Sequence, residues 1–285
     1  MQQRSIAGVT VSAIGLGGMP MSVRPTNDEE QGVATIRTAV ENGVTLIDTA
    51  DAYCRDESDF GHNEVLIAKA LAQAGLGPDD VLVATKGGHT RTGSDWTLNG
   101  RPDYLREACV ASAQRLGVEQ IGLYQFHRPD PQVAYEDSIG GIMALLDEGL
   151  IARAGISNAD PGQIRQAHDI LGDGLVSVQN QYSPSFRSSE PEIDVCDELG
   201  LAFLPWSPLG GMGGAAGLGQ DFAAFGEVAE KHGVSPQQVA LAWELARSDN
   251  VIPIPGASRP ASVTDSTAAV HLRLDEEDLA TLSAS

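Results

Sequence analysis

Lysine is nearly absent from this 285-residue chain. Lys69, Lys86 and Lys231 are the only three, and with the arginines they supply 18 positive charges against 39 acidic residues, a formal net charge of −21. A field that negative repels phosphate backbones and anionic membrane surfaces, so neither nucleic acid nor membrane is expected as a partner. Cysteine is scarce too. Cys54, Cys109 and Cys196 are odd in number, far apart and in no CxxC pair, which fits free thiols in a reducing compartment; no metal site is visible. No run approaches the roughly 18 apolar residues of a membrane span, and the opening "MQQRSIAGVTVSAIGLGG" has no continuous apolar signal core. A soluble, cytoplasmic protein is expected. A complete dinucleotide-binding glycine turn is also missing: "GLGGMP" (15–20) lacks its third glycine, Pro20 interrupts it and the next helix starts about ten residues on, so it reads as a tight turn at a strand end.

What is present is alternation. Short β-rich apolar runs at 12–18, 44–48, 81–86, 121–126, 152–157, 175–179, 201–206 and 251–255 are separated by Ala/Leu-patterned stretches with helical starts and stops. "TNDEEQGVATIRTAVENG" opens on a polar cap and ends at Gly43, and "RPDYLREACVASAQRLG" has Pro102 in its first turn and Gly117 at its end. Further helices are expected at 63–74, 135–148, 161–171, 189–199 and 260–269, two more within 221–247, and an extra one over "LDEEDLATLS" at the C-terminus. Eight strand-then-helix units predict an α/β fold, a closed (β/α)8 TIM barrel with an N-terminal β-hairpin. No linker or low-complexity segment divides the chain, so residues 1–285 are expected to form one domain.

In such a barrel the site lies at the C-terminal ends of the strands, and the residues found there are not those a core would choose. The second strand ends in Asp48 with Tyr53 just beyond, the third ends in Lys86, and His127 follows the fourth. An acid, a phenol, an ammonium and an imidazole on three consecutive strands suit proton transfer to a carbonyl. Lys86 would lower the phenol's pKa from about 10 by roughly 1 to 3 units, Asp48 would hold Lys86, and His127 would orient the carbonyl oxygen. Hydride would have to come from a cofactor.

The motifs "DTADAY", "GHNE", "ATKGG", "QFHRPDP", "GISN", "VQNQYS", "WSPLGG" and "IPIPGASR", in this order over nearly the whole chain, resemble those of the aldo-keto reductases. The resemblance implies a barrel that binds NADPH in extended form and a catalytic set of Asp48, Tyr53, Lys86 and His127, with Tyr53 the general acid in carbonyl reduction. It also implies that Ser157, Asn158 and Gln179 meet the nicotinamide carboxamide and Trp206 its ring. Ser207, Leu209, Gly210 and Gly211 would border the pyrophosphate, within a glycine-rich flap over 210–219, and Gly256, Ser258 and Arg259 would grip the 2'-phosphate. NADPH is therefore expected over NADH, the alternative cofactor. Two departures stand out. Ser262, Asp265 and Ser266, at the adenine side, replace the family's commoner glutamine or arginine, glutamate and asparagine; and Cys54 with an acidic insert, "RDESDF", follows Tyr53 where glycine is usual. The substrate, a small aldehyde or ketone, would be walled by the loop 88–101, with Trp96 as a candidate. A monomer or weak homo-oligomer is expected. Two other readings stay open at this point: an NADPH-binding regulatory subunit, and a lyase in which Lys86 forms a Schiff base.

Overall fold

The computed structural model describes residues 1–24 and 28–285. Strands β1 (Gln3–Ile6) and β2 (Val9–Ser12) form an antiparallel hairpin across Ala7 and Gly8, both at positive φ. Its apolar face carries Ile6 and Val11, which pack with Leu46, Leu82, Leu123, Val176 and Ala202 at the starts of barrel strands, so the hairpin plugs the end opposite the expected site.

Then come β3 (Leu16–Gly17), α1 (Glu29–Glu41), β4 (Leu46–Asp48), α2 (His62–Gln73) and β5 (Leu82–Gly87). Asp28 caps α1 by accepting from the Gln31 amide; Thr26 and Asn27 of the expected polar cap lie outside the described residues. After β5 an antiparallel pair, β6 (His89–Thr92) and β7 (Asp95–Leu98), occupies the segment expected to be an irregular loop. The barrel resumes with α3 (Pro102–Leu116), β8 (Leu123–Phe126), α4 (Tyr135–Asp147), β9 (Ala154–Ser157), α5 (Pro161–Leu171), β10 (Leu175–Gln179), α6 (Glu190–Leu199) and β11 (Ala202–Phe203). Where a flap is expected over 210–219, two single turns form instead, α7 (Gly211–Gly214) and α8 (Leu218–Asp221). The remaining helices are α9 (Ala223–His232), α10 (Pro236–Arg247), α11 (Pro260–Ala268) and α12 (Glu276–Ala284).

Seven strands are parallel in the order β11-β10-β9-β8-β5-β4-β3, and their crossover helices pack outside them through a shell that includes Ile139, Ile142, Ile164, Ile193 and Phe203. The expected eighth strand closes this (β/α)8 barrel as single bridges, Gly17 to Gly256 and Phe203 to Val251. Proline is the reason. Toward β11, the amides of Ile252 and Ile254 donate to the carbonyls of Phe203 and Pro205. Toward β3, Gly15 and Gly17 donate to the carbonyls of Pro253 and Pro255, which have no amide to give back, and the return bond comes only at Ala257, whose amide donates to the Gly17 carbonyl at 3.4 Å. The approach is close enough to require glycine: a Cβ on Gly17 would lie 2.8 Å from the Ile254 carbonyl oxygen.

Candidate active site

Parallel register sets Asp48 of β4 beside Ala84 of β5, one pleat from Lys86. Lys86 is wholly buried, and its ammonium donates to Asp48 Oδ2 at 2.7 Å, to the Thr49 carbonyl at 2.8 Å and to Tyr53 Oη at 2.9 Å. All three donors are used, the condition under which a buried charge is tolerable. Burial alone would lower the Lys86 pKa, but the Asp48 carboxylate and the Tyr53 contact outweigh it and hold the pKa raised. Asp48 Oδ1 in turn accepts from Gln179 Nε2 at 2.7 Å. Gln179 therefore spends its amide protons on the protein, leaving only its carbonyl oxygen for a ligand.

Tyr53 corrects an expectation. Burial raises its pKa and, with Asp48 and Asp51 pushing the same way, exceeds the pull of Lys86 downward, so the phenol holds its proton more firmly than a free tyrosine. His127 sits 5.6 Å from the Tyr53 ring, edge to face, and burial and the Lys86 charge drive its pKa well below the usual value, leaving it neutral. Its Nδ1 is buried without a partner, so Nε2 is the nitrogen left to serve the cleft. His89, which sequence reasoning missed, lies 4.3 Å from the His127 ring and is neutral too, with a pKa lowered to about 4 by burial. Its Nδ1 meets the Thr97 carbonyl across the β6–β7 pair, a contact that fixes Nδ1 as the protonated nitrogen.

"GHNE" stiffens this floor from behind. Asn63 donates to the Gly18 carbonyl and Ser22 Oγ and accepts from Thr49, whose carbonyl holds Lys86. Glu64 accepts from Thr85, the neighbour of Lys86, and from Arg115 at 2.6 Å. Asp51 lies in the same layer, fully buried, with neither carboxyl oxygen hydrogen-bonded in normal geometry; burial, and then the Glu64 charge, raise its pKa well above the usual range.

A cleft of about 910 Å³, within the range of small-molecule sites, opens over the floor. Asp48, Tyr53, His127 and Trp96 line it beside the buried Lys86. Ser157, Asn158, Gln179, Trp206, Ser207, Leu209 and Gly211 line its middle, and Gly256, Ser258, Arg259, Ser262, Asp265 and Ser266 its far end. Two expected residues are not on its wall: Lys86 lies beneath it, and Gly210 is a left-handed hinge before α7. Asp265 accepts from Ser235 and Gln238, and so secures α11 to α10. Ser157 donates to the Gln179 carbonyl, and Asn158 donates to that of His127. Trp206 Nε1 is buried without a partner, and Ser207 sits at φ +52°, backbone strain that non-glycine residues adopt where a site demands it. Arg24, Gln31 and Arg128 also line the cleft and were missed. Arg24 Nη1 donates to Ser258 Oγ at 3.2 Å, and Gln31 to the Ser258 carbonyl. Arg24 and Gln31 lie more than 220 residues from Ser258 in the chain, so no local pattern announces them.

Comparison with known proteins identifies the family and the fold. The model of the aldo/keto reductase family matches residues 13–285. A probable aldo-keto reductase of Glycine max is 33% identical over 95% of this chain and 84% of its own length. The solved structure of a thermostable aldo-keto reductase in complex with the inhibitor epalrestat superposes with a TM-score of 0.85 at 27% identity, covering 100% of this chain and 99% of that one. An aldo/keto reductase from Klebsiella pneumoniae, solved with NADP and acetate, superposes at 0.81 with 25% identity over 99% and 94% of the two chains. On the strength of its sequence from end to end, the chain belongs to the aldo/keto reductase family.

Proposed function

We propose that this protein is an NADPH-dependent reductase of aldehydes and ketones in which Tyr53 is the proton donor. The observation that carries the reading is the Tyr53 hydroxyl at 2.9 Å from a fully buried Lys86 ammonium, on the floor of a cleft of about 910 Å³. The residues fit an extended nicotinamide cofactor: Trp206 offers a flat ring with an unspent N–H, Gln179 keeps its side-chain oxygen for accepting, and Arg24 and Arg259 flank Ser258 without a carboxylate partner among the described residues. Bound there, NADPH supplies the hydride. The chain does the rest. His127 donates from Nε2 to the carbonyl oxygen and holds it toward Tyr53, the phenol gives up its proton, and Lys86 stabilises the phenolate that remains. At neutral pH the phenol carries the proton that reduction consumes.

Lys86 argues against the Schiff-base alternative. Its nitrogen is buried and held as an ammonium by three acceptors, so it has neither the free lone pair nor the access an imine needs. The test of the reductase reading is consumption of NADPH by the purified protein with benzaldehyde and a panel of ketones and sugars; no turnover with any carbonyl overturns it. Cofactor choice has its own test. Arg24→Ala and Arg259→Ala should each weaken NADPH binding by about tenfold, the worth of one charge-assisted contact, with a much smaller change for NADH, both read by quenching of tryptophan fluorescence. Equal losses for both cofactors would remove the 2'-phosphate from this end of the cleft.

A further inference from the structure

In a chain of charge −21 most arginines carry a carboxylate. Of the seven without one among the described residues, Arg153, Arg187 and Arg273 lie elsewhere and four lie at the cleft or the cavity beside it. Besides Arg24 and Arg259 at one end, Arg91 and Arg128 stand at the carbonyl end, and among the described residues neither has a carboxylate within ion-pair distance. Arg128 is fixed by donating to Asn158 Oδ1 at 2.9 Å. Arg91 lines a side cavity of about 680 Å³ that shares Met19, Trp96 and Met212 with the main cleft. Its Nη2 donates to the carbonyls of Cys54 and Arg55, at 3.1 and 2.6 Å, and its guanidinium lies 4.1 Å from the centre of the Trp96 ring. Nε and Nη1 are shielded from solvent and unpartnered.

The acidic insert makes no ion pair with Arg91 among the described residues, although Asp56 feels its charge. Asp56 turns back on Ser58, Glu57 accepts the Gly93 amide, and Asp59 faces Arg55 at 3.6 Å. The insert instead anchors the β6–β7 pair, with Glu57 and Gly93 exchanging two hydrogen bonds, and so sets Arg91 and Trp96 beside the reacting end. From Arg91 the path to the chemistry is short: guanidinium on Trp96, and Trp96 edge-on to Tyr53 at 6.4 Å. An aromatic or short aliphatic spacer laid along Trp96 would bring a carbonyl to Tyr53 and an anion to the guanidinium together.

We propose that this side cavity is an anion subsite and that the preferred substrates are aldehydes or ketones carrying a carboxylate, drawn by the positive field of Arg91 and Arg128. The proposal rests on the reductase reading. In a protein whose overall field repels anions, two guanidiniums at the cleft mouth that make no ion pair among the described residues supply the local attraction such a substrate needs.

The test compares para-carboxybenzaldehyde with benzaldehyde. Wild-type protein should favour the carboxylated aldehyde by at least about tenfold in kcat/KM, mainly through KM, and the preference should shrink with added salt. Arg91→Met, which keeps the stem on Trp96, should bring the ratio of the two specificity constants close to one, while Arg91→Lys should keep part of the preference. A wild-type ratio near one, or a ratio that Arg91→Met leaves unchanged, overturns the subsite. If neither aldehyde is turned over, the reductase reading fails by itself, and the subsite is judged by calorimetry with benzoate. Binding weakened about tenfold by Arg91→Met then supports it, and binding that is absent or unchanged overturns it.

Discussion

Tyr53→Phe is expected to lower kcat for aldehyde reduction by about a thousandfold, within the range of a lost general acid, while NADPH still quenches tryptophan fluorescence with nearly unchanged affinity. The variant removes one oxygen from the floor and leaves Lys86 held by Asp48 and the Thr49 carbonyl, so the site stays assembled and the loss falls on the chemical step. The pH profile carries the sign. With its pKa raised above 10, Tyr53 stays protonated through neutral and mildly basic pH, so the wild-type reduction rate should show no fall from this group below about pH 10. Oxidation of an alcohol needs the phenolate and should climb toward high pH. A reduction rate that falls near pH 7 to 8 would mean that Lys86 wins over burial after all, and unchanged turnover in Tyr53→Phe would remove the mechanism.

Stability should decline with rising pH because of two acids that the chemistry does not use. Asp51 and Glu244 are both fully buried with unpartnered carboxyl oxygens, and burial raises each pKa well above the usual range. Above about pH 4 the unfolded chain releases these protons and the folded chain keeps them. The folded state then binds more protons, and each group contributes a loss of about 1.4 kcal/mol per pH unit until pH passes its folded pKa. Below about pH 6.5 the neutral His89 and His127 oppose this trend, because the unfolded chain protonates them first, and toward pH 8 the buried thiols begin to add to it; the comparison with a variant lacking both acids therefore isolates them. Urea unfolding of wild type and of Asp51→Asn/Glu244→Gln from about pH 6.5 to 8 should give stabilities that diverge steadily, the variant losing less as pH rises. Parallel curves would mean that neither acid holds its proton.

Much of this molecule was legible in the chain because a barrel puts its chemistry at strand ends, where a titratable residue interrupts an apolar run. Asp48, Lys86 and His127 stand out that way, and Tyr53 follows within one turn. The direction of the Tyr53 pKa was not legible, since it depends on how burial balances Lys86, a quantity of three dimensions. The β6–β7 pair hid because "HTRTGSDWTL" has no apolar face: its side chains are partly or fully exposed, and the alternation that signals a strand is absent. His89 and Arg91 were hidden with it. The irregular eighth segment could have been foreseen from Pro253 and Pro255, which cannot complete a two-sided ladder.

The edge between β3 and the eighth strand has a consequence for how the molecule holds itself shut. Gly17, Ile254 and Gly256, on the two lips of this proline-interrupted seam of the barrel, all line the cleft. A dinucleotide lying there would touch both lips at once and act as a clasp across that seam. Its binding energy would then appear as resistance to unzipping as well as affinity, so that loading the cofactor and closing the barrel become one linked equilibrium.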